Sequence, residues 1–506
     1  MPAIKFGTDG WRAVIADEFT FSNVRAVTRA IARYLEEQKR DRDGVVIGFD
    51  NRFLSEEFAA QASAVLLENS IKVYLCRRPS PTPAVAFAVK HYQSAGAIMF
   101  TASHNPSRYQ GIKFIPHYAG PALPPETDRI SELVQISLQE DDPGKDLTGK
   151  NSEYPHILQK LLEEASSSEK NAFPEPDKDT GEHGPEEELL KMIDPEGPYL
   201  KHLEQVIDIN AIAAALPFVV IDSMHGASIG YLEAFLSPLG CRLEVIRGYR
   251  DPLFGGGLPD PSGHNLQKLR SIVLDLEAEA GLALDGDGDR LGVIAPDGKF
   301  LSANDILLLL LEHLVQSRQW HGVVARTVAT THNLDRLARH YGLRLVETPV
   351  GFKYIGQAIR EQDAFLGGEE SGGVSIRGHI PEKDGIMAAL LFVEMLAAAR
   401  AEPAELFQAI GAKIDLFSFN RWDIHTSSSQ KEEILQKLRN WQPQEIAGLK
   451  VKEVNRTDGV KVLLEGGSWF LVRSSGTEDL FRLYIEAPDE TMLEELRYGV
   501  RWDLGL

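Results

Sequence analysis

The stretch "GVVIGFD" (residues 44–50) is a run of β-branched and aromatic side chains that stops at an aspartate. It has the composition of a strand buried on both faces, and its polar end marks where the chain leaves a sheet. The pattern recurs in "FVVIDSMHG" (218–226) and "GVVARTVATTH" (322–332), each followed by a helix-like segment. Alternation of this kind predicts α/β domains with mixed or largely parallel sheets, in which loops after the strand C-termini carry ligands. Three similar units in succession hint at an internal repeat. Near the end, "VKEVNRTDGVKVLLEGGSWFLVRSSGTEDLFRLYIEA" (451–487) alternates along short strands joined by "TDG" and "EGG" turns. This predicts an antiparallel sheet and hence a closing α+β domain.

Working outward, 506 residues correspond to about three or four domains. The expected division is an α/β domain at 1–138, a polar flexible insertion at 139–196, α/β domains at 197–298 and 299–414, and the α+β domain at 415–506. The insertion is expected because "SSSEKNAFPEPDKDTGEHGPEEE" (166–188) is nearly free of large apolar side chains. With 53 basic and 74 acidic residues, the net charge of −21 argues against a protein that coats nucleic acid or anionic lipid. An anionic ligand must then be held by local cations. Two cysteines are too few for a disulfide framework, and the N-terminal residues lack the apolar core of a signal peptide, so a cytoplasmic protein is expected. "ILLLLLEHLV" and "IMAALLFVEMLAAA" are interrupted by charge well short of the ~18 residues needed to span a bilayer, so no membrane partner is expected.

Four polar constellations carry the chemistry. "FTASHNPS" (100–107) puts Ser103 and His104 directly after an apolar strand. Adjacent side chains generally diverge and the flanks are not a G-x-S-x-G elbow, so taken alone Ser103 reads as a turn or capping serine. In "LALDGDGDRLGV" (282–293), Asp285, Asp287 and Asp289 alternate with glycines that let the backbone bend, so three carboxylates fall on one side. Such hard oxygen ligands suit Mg²⁺; an EF-hand is excluded, because that loop needs glycine and glutamate where this chain has Arg290 and Pro296. "FLGGEESGGVSIRGHIPEKDG" (365–385) surrounds Glu369, Glu370 and Ser371 with glycines, a turn able to approach sugar hydroxyls closely, although a simple polar turn fits equally well. "FLVRSSGTED" (470–479) offers the Arg473 guanidinium, the hydroxyls of Ser474, Ser475 and Thr477, and at Gly476 a backbone able to form an anion nest.

In this order and on these strand ends, the four stretches resemble the phosphoglucomutase/phosphomannomutase family, the α-D-phosphohexomutases of bacterial type. "TASHNP" is similar to the phosphoserine loop, "DGDGDR" to the metal loop, "GEESGG" to the sugar loop and "RSSGTE" to the phosphate loop, and the opening "FGTDGWR" matches the family's N-terminal strand and arginine. The resemblance covers nearly the whole chain outside the insertion. It implies a heart-shaped molecule of four domains around a central cleft, and a Mg²⁺-dependent intramolecular phosphotransferase acting on a phosphorylated hexose, present as a monomer or weak dimer. It implies that Ser103 carries the transferred phosphoryl group, whose oxygen joins Asp285, Asp287 and Asp289 around the metal. Arg12 and Arg290 would contact that phosphate. Lys113 would shuttle protons, its pKa lowered by cationic neighbours. His104, Lys353, Glu369, Ser371 and Lys383 would bind the sugar phosphate, and Arg473, Ser475, Gly476 and Thr477 its distant phosphate. A hexose 1,6-bisphosphate would serve as intermediate, activator or phosphoryl donor. Gly373 ends the sugar loop where several mannose- and glucosamine-handling relatives place a histidine, which favours glucose phosphates. Phosphomannomutase activity and glucose-1,6-bisphosphate synthesis from a donor such as fructose 1,6-bisphosphate are the alternatives. A phosphate-binding regulator would have lost Ser103 or an aspartate, and a phosphatase would need a water path to the phosphoserine.

Overall fold

The computed structural model describes residues 4–7, 10–140, 154–168, 189–475 and 479–506. They form two compact units, Met1–Ala303 with Ser371–Glu402, and Asn304–Glu370 with Pro403–Leu506.

In the first unit, β1 (Trp11–Val14), β2 (Val45–Phe49), β3 (Val73–Cys76), β4 (Gly96–Phe100), β5 (Tyr109–Pro116) and β6 (Leu190–Ile193) form a sheet of order β1-β5-β4-β2-β3-β6. Strands β2 and β4 are buried at every position, which is why their sequences are continuous apolar runs instead of alternating ones. β3 and β4 lie parallel to β2 on either side, and β5 is antiparallel to β4. The second sheet, from β7 (Phe218–Asp222), β8 (Arg242–Ile246), β9 (Ala280–Leu284), β10 (Leu291–Ile294) and β11 (Phe300–Leu301), has the order β11-β10-β9-β7-β8. Here β8 and β9 flank β7 in parallel and β10 is antiparallel to β9. The repeat hinted at by the sequence is therefore one wiring pattern used twice in this unit. In both copies the turn between the third strand and its antiparallel neighbour carries a predicted loop, 101–108 in the first and 285–290 in the second.

Part of the 139–196 segment departs from the expected polar insertion. Helix Tyr154–Ser168 packs on helix Ser55–Glu68, with Ile157 and Leu161 buried. Strand β6 pairs parallel with β3, Val73 opposite Leu190 and Cys76 opposite Ile193. The short apolar clusters "HILQKLL" and "LLKMI" were outweighed by the polar composition around them. Residues 141–153 and 169–188, on which the expectation chiefly rested, lie outside the described residues.

The first unit also holds β15 (Val374–Ile376), numbered in chain order after the strands of the second unit, and helix Gly385–Ala399, whose N-terminus is capped by Asp384 accepting from Met387 N at 2.8 Å. By backbone proximity residues 371–402 of the 299–414 segment group with the first unit. Packing there is close at Gly385, whose N–H donates to Gly288 O at 3.1 Å and where an added Cβ would lie 2.6 Å from Arg290 O. Among the described residues no helix is long and apolar enough to cross a membrane.

In the second unit, β12 (Val323–Thr327), β13 (Arg344–Thr348) and β14 (Ala364–Gly368) repeat the parallel triplet, with β13 and β14 on either side of β12. The C-terminal strands β16 (Ser418–His425), β17 (Glu445–Ile446), β18 (Leu449–Asn455), β19 (Val460–Leu464), β20 (Trp469–Ser474) and β21 (Leu480–Ala487) form a six-stranded sheet of order β16-β21-β20-β19-β18-β17. Every pairing recorded within it is antiparallel. One face buries Phe470, Val472, Phe481 and Leu483 under Leu493, Leu496 and Val500 of helix Glu490–Leu504. Each such side chain contributes about 1.5–3 kcal/mol when fully buried. Trp469, Leu471 and Tyr484 alternate onto the other face and pack against Val328 and Ala329 beyond β12.

Candidate active site

Ser103 sits in the turn after β4 with φ +51°, a left-handed conformation uncommon for a residue with a Cβ, and it is fully buried. Its N–H donates to Thr101 Oγ1 at 2.8 Å. Its hydroxyl donates to Asp285 Oδ2 at 2.7 Å and lies 3.3 Å from His104 Nδ1. What holds this strained turn is a residue the sequence reading missed. The buried Arg52 guanidinium donates to Ser103 O (2.7 Å), Asn105 O (2.7 Å), Pro106 O (2.9 Å) and Tyr109 O (3.1 Å), and through Nε to Asp50 Oδ2 (3.1 Å). Only a planar fork with five N–H donors can serve four carbonyls and a carboxylate together. Arg52→Lys keeps the charge and loses the fork, so kcat is expected to fall on the order of 100-fold through misplacement of Ser103. Steady-state kinetics beside a thermal melt check this; a folded variant with unaltered kcat would show that the clamp does not place the serine.

The metal-loop sequence forms the tight turn between the antiparallel strands β9 and β10, with Leu284 opposite Leu291. Gly288 has φ +72°, and a Cβ on Gly286 would lie 2.5 Å from the Ser103 carbonyl oxygen, so glycine there is what lets the two loops touch. Asp285, Asp287 and Asp289 are all buried, and each offers one carboxylate oxygen, all within 4.8 Å of one another. Asp285 Oδ1 accepts from the backbone N–H groups of Asp289 (2.9 Å) and Arg290 (3.1 Å). Asp287 Oδ2 accepts from Thr82 Oγ1 (2.6 Å) and Lys113 Nζ (2.7 Å), and Asp289 Oδ2 from Lys113 Nζ (2.9 Å), with Lys383 Nζ at 3.3 Å. Asp287 Oδ1 and Asp289 Oδ1 are buried with no hydrogen-bond partner. Burial, then repulsion from Asp289 and Asp287, pushes the Asp285 carboxyl well above the usual carboxylate range. Burial also opposes ionisation of Asp287, but the Lys113 ammonium, the Thr82 hydroxyl and Lys383 outweigh it and hold this group low. Converging carboxylates with two orphaned oxygens are the donor set that a hard divalent cation satisfies, so these residues fit Mg²⁺.

Cations surround this cluster. Arg12 Nη1 donates to Asn105 Oδ1 at 2.8 Å, and Arg290 Nε lies 3.9 Å from Asp289 Oδ1. Burial, followed by the charges of Arg290, Arg12 and Lys383, drives the His104 imidazole well below its ordinary pKa, which favours the neutral ring. The direct ion-pair partners of Lys113 are the carboxylates Asp287 and Asp289, because β5 runs beside β4 and aims the side chain into the metal loop, and a second cation, Lys383, shares Asp289 Oδ2 with it. The first unit thus gathers Arg12, Ser103, His104, Lys113, the three aspartates, Arg290 and Lys383. Ser371 is in the same unit, and the next residue, Gly372, has its Cβ position 3.4 Å from Arg290 Cβ.

The second unit carries the rest. Glu369 is buried directly after β14, and Glu370 accepts from Arg421 Nη1 at 2.9 Å. Lys353 lies in the first turn of helix Phe352–Gln362, its ammonium 5.4 Å from the Tyr354 ring centroid. Arg473, next to last in β20, has Nε donating to Asp458 Oδ1 at 2.8 Å, and the Ser475 carbonyl accepts from Lys431 Nζ at 3.0 Å. Gly476 and Thr477 lie outside the described residues. Arg421, Lys431 and Asp458 were not singled out from sequence; only the "TDG" turn marked the last of them, and as a turn alone.

Four successive domains of the phosphoglucomutase/phosphomannomutase family match this chain: alpha/beta/alpha domain I over residues 3–140, domain II over 197–298, domain III over 302–413 and the C-terminal domain over 431–501. A Thermus thermophilus chain of known structure is 32% identical with TM-score 0.78, covering 100% of this chain and 99% of that one. The phosphoglucomutase/phosphomannomutase of Thermococcus kodakarensis is 29% identical over 98% of this chain and 97% of its own. The phosphoglucosamine/phosphogalactosamine mutase of Sulfurisphaera tokodaii is 26% identical over 97% of each. A four-domain scaffold with a buried serine beside an acidic turn defines a phosphoryl-transfer enzyme. The chain belongs to the phosphoglucomutase/phosphomannomutase family, and is an isomerase of the α-D-phosphohexomutase type, an intramolecular phosphotransferase.

Proposed function

We propose that this enzyme interconverts glucose 1-phosphate and glucose 6-phosphate through a phosphoserine at Ser103 and glucose 1,6-bisphosphate, with Mg²⁺ held by Asp285, Asp287 and Asp289. The observation that carries the reading is the Ser103 hydroxyl 2.7 Å from Asp285, inside a ring formed by Arg12, Lys113, Arg290 and Lys383. Phosphoryl transfer asks for a positioned acceptor and neutralised phosphoryl oxygens more than for covalent chemistry. A bound Mg²⁺ supplies charge neutralisation on the transferring phosphoryl group. A hexose hydroxyl attacks the phosphorus while the bond to Ser103 Oγ breaks. Arg12 and Arg290 hold the equatorial oxygens, and Lys113 shuttles the proton between the attacking oxygen and the serine. Arg473 and Ser475, with Gly476 and Thr477, hold the phosphate already on the sugar, and Glu369, Ser371 and Lys353 hold its hydroxyls. The bisphosphate then turns end for end and returns its other phosphate to Ser103. The protein is expected in the cytoplasm, where its substrates are.

Glucose is favoured by Gly373 at the end of the sugar loop, where the family resemblance places a histidine in several mannose- and glucosamine-handling members. The test is phosphorus NMR of glucose 6-phosphate with a catalytic or a stoichiometric amount of fructose 1,6-bisphosphate, repeated with mannose 6-phosphate and glucosamine 6-phosphate. Fast interconversion of the glucose monophosphates at catalytic donor is the expected result. Accumulation of glucose 1,6-bisphosphate in proportion to donor would replace the mutase reading with synthesis, and faster turnover of another sugar would replace the substrate.

A further inference from the structure

One carboxylate in the second unit ties together two loops that the sequence treats as separate. Asp458 lies in the "TDG" turn between β18 and β19. That turn is pressed onto β20: Gly459 has φ +87°, and an added Cβ there would lie 2.6 Å from Val472 O and 3.2 Å from Arg473 Cα. Asp458 Oδ1 accepts from Arg473 Nε at 2.8 Å. Its other oxygen, Oδ2, accepts from the backbone N–H of Val350 at 3.0 Å. Val350 belongs to "TPVGFKYIG" and stands three residues before Lys353, just ahead of Gly351 (φ +123°), where helix Phe352–Gln362 begins. Residues 350 and 473 are far apart in sequence, so this contact appears only in the fold.

We propose that Asp458 is a positioning residue for the mutase reaction, setting the Arg473 guanidinium and anchoring the start of the Lys353 helix with the same carboxylate. The inference rests on the reading of Arg473 as a ligand of the substrate's distant phosphate. The chemistry suits the task. The ion pair engages Nε and not the two terminal nitrogens, which are the pair with the spacing for bidentate contact to phosphate oxygens. With the side chains of Arg473 and Asp458 only 20% and 23% exposed, water competes weakly for the pair. The Val350 bond gives the turn a second duty: the phosphate cup and the Lys353 loop are set from one point, so displacement of either disturbs the other. Losing Asp458 therefore affects binding of the sugar phosphate, while the chemistry at Ser103, built in the first unit, is left intact.

The experiment compares Asp458→Ala, Asp458→Asn, Arg473→Ala and the double variant Asp458→Ala/Arg473→Ala in the full chain. The readouts are kcat and KM for the hexose phosphate, thermal melts, and the rate at which phosphate is lost from phosphorylated Ser103 to water. The loss of a hydrogen-bonded charge is expected to raise KM about tenfold in Asp458→Ala. Asp458→Asn should fall between, since an amide oxygen accepts only one of the two bonds, and the double variant should be no worse than Arg473→Ala. Phosphoserine loss and melting temperature should stay near those of the unaltered enzyme. An unchanged KM in Asp458→Ala, or effects that multiply in the double variant, would overturn the positioning role while leaving the cup in place. An unchanged KM in Arg473→Ala would instead overturn the cup, and the role of Asp458 with it.

Discussion

Ser103→Ala is expected to abolish mutase activity and to leave the protein unable to take up phosphate from glucose 1,6-bisphosphate. The reasoning is local. Ser103 Oγ reaches the acidic turn at 2.7 Å from Asp285 Oδ2. Thr101 cannot substitute, since its Oγ1 is engaged by the Ser103 N–H at 2.8 Å, and Thr82 Oγ1 is engaged with Asp287 at 2.6 Å. Alanine removes one oxygen and keeps the Cβ, so the Arg52 clamp on the loop carbonyls survives and the fold should too. A reaction that depends on a covalent intermediate then loses its whole route, a loss of several orders of magnitude in rate. Intact mass and peptide mapping after incubation with the bisphosphate provide the check. Phosphate recovered on another residue, or turnover that survives the substitution, would remove Ser103 from its role.

How far the sequence could be read follows from what kind of signal each feature leaves. Buried parallel strands announce themselves because burial on both faces demands continuous apolar runs, and β2, β7 and β12 were all visible that way. The acidic turn was visible because alternating aspartate and glycine has few other uses between apolar strands. Arg52 was not. It stands in "GFDNRF", which reads as an ordinary polar strand end, and its carbonyl partners lie 51 to 57 residues later. A backbone carbonyl has no side-chain identity, so a clamp made of such contacts leaves no motif. Asp458 was hidden for a related reason, since a turn aspartate is expected to serve its own turn. Helix Tyr154–Ser168 was lost in the composition of its surroundings, although Ile157 and Leu161 have the spacing of a buried stripe. The backbone approach at Gly385, where an added Cβ would lie 2.6 Å from Arg290 O, is likewise something no composition reveals.

The second large effect is expected at the acidic turn. Asp287→Asn should lower kcat by about three orders of magnitude or more, because one lost carboxylate weakens both metal binding and charge neutralisation. Asp287 is the member with most to lose. Its Oδ2 accepts from both Thr82 and Lys113, and its Oδ1 is buried with no partner, so an amide would either turn its NH₂ toward two donors or leave it unpaired inside the protein. The same substitution separates a metal site from a purely structural ion pair by a measurement that needs no turnover. A ligand that binds only the folded state raises the melting temperature with its concentration. Mg²⁺ should therefore stabilise the unaltered protein in a saturable way and do so weakly or not at all in Asp287→Asn. Chelation should silence the unaltered enzyme and restored Mg²⁺ revive it. Undiminished turnover in excess chelator, or identical Mg²⁺-dependent melting in both proteins, would mean that Lys113 and Lys383 alone balance the three carboxylates, and the turn would then be a charge-paired structural corner.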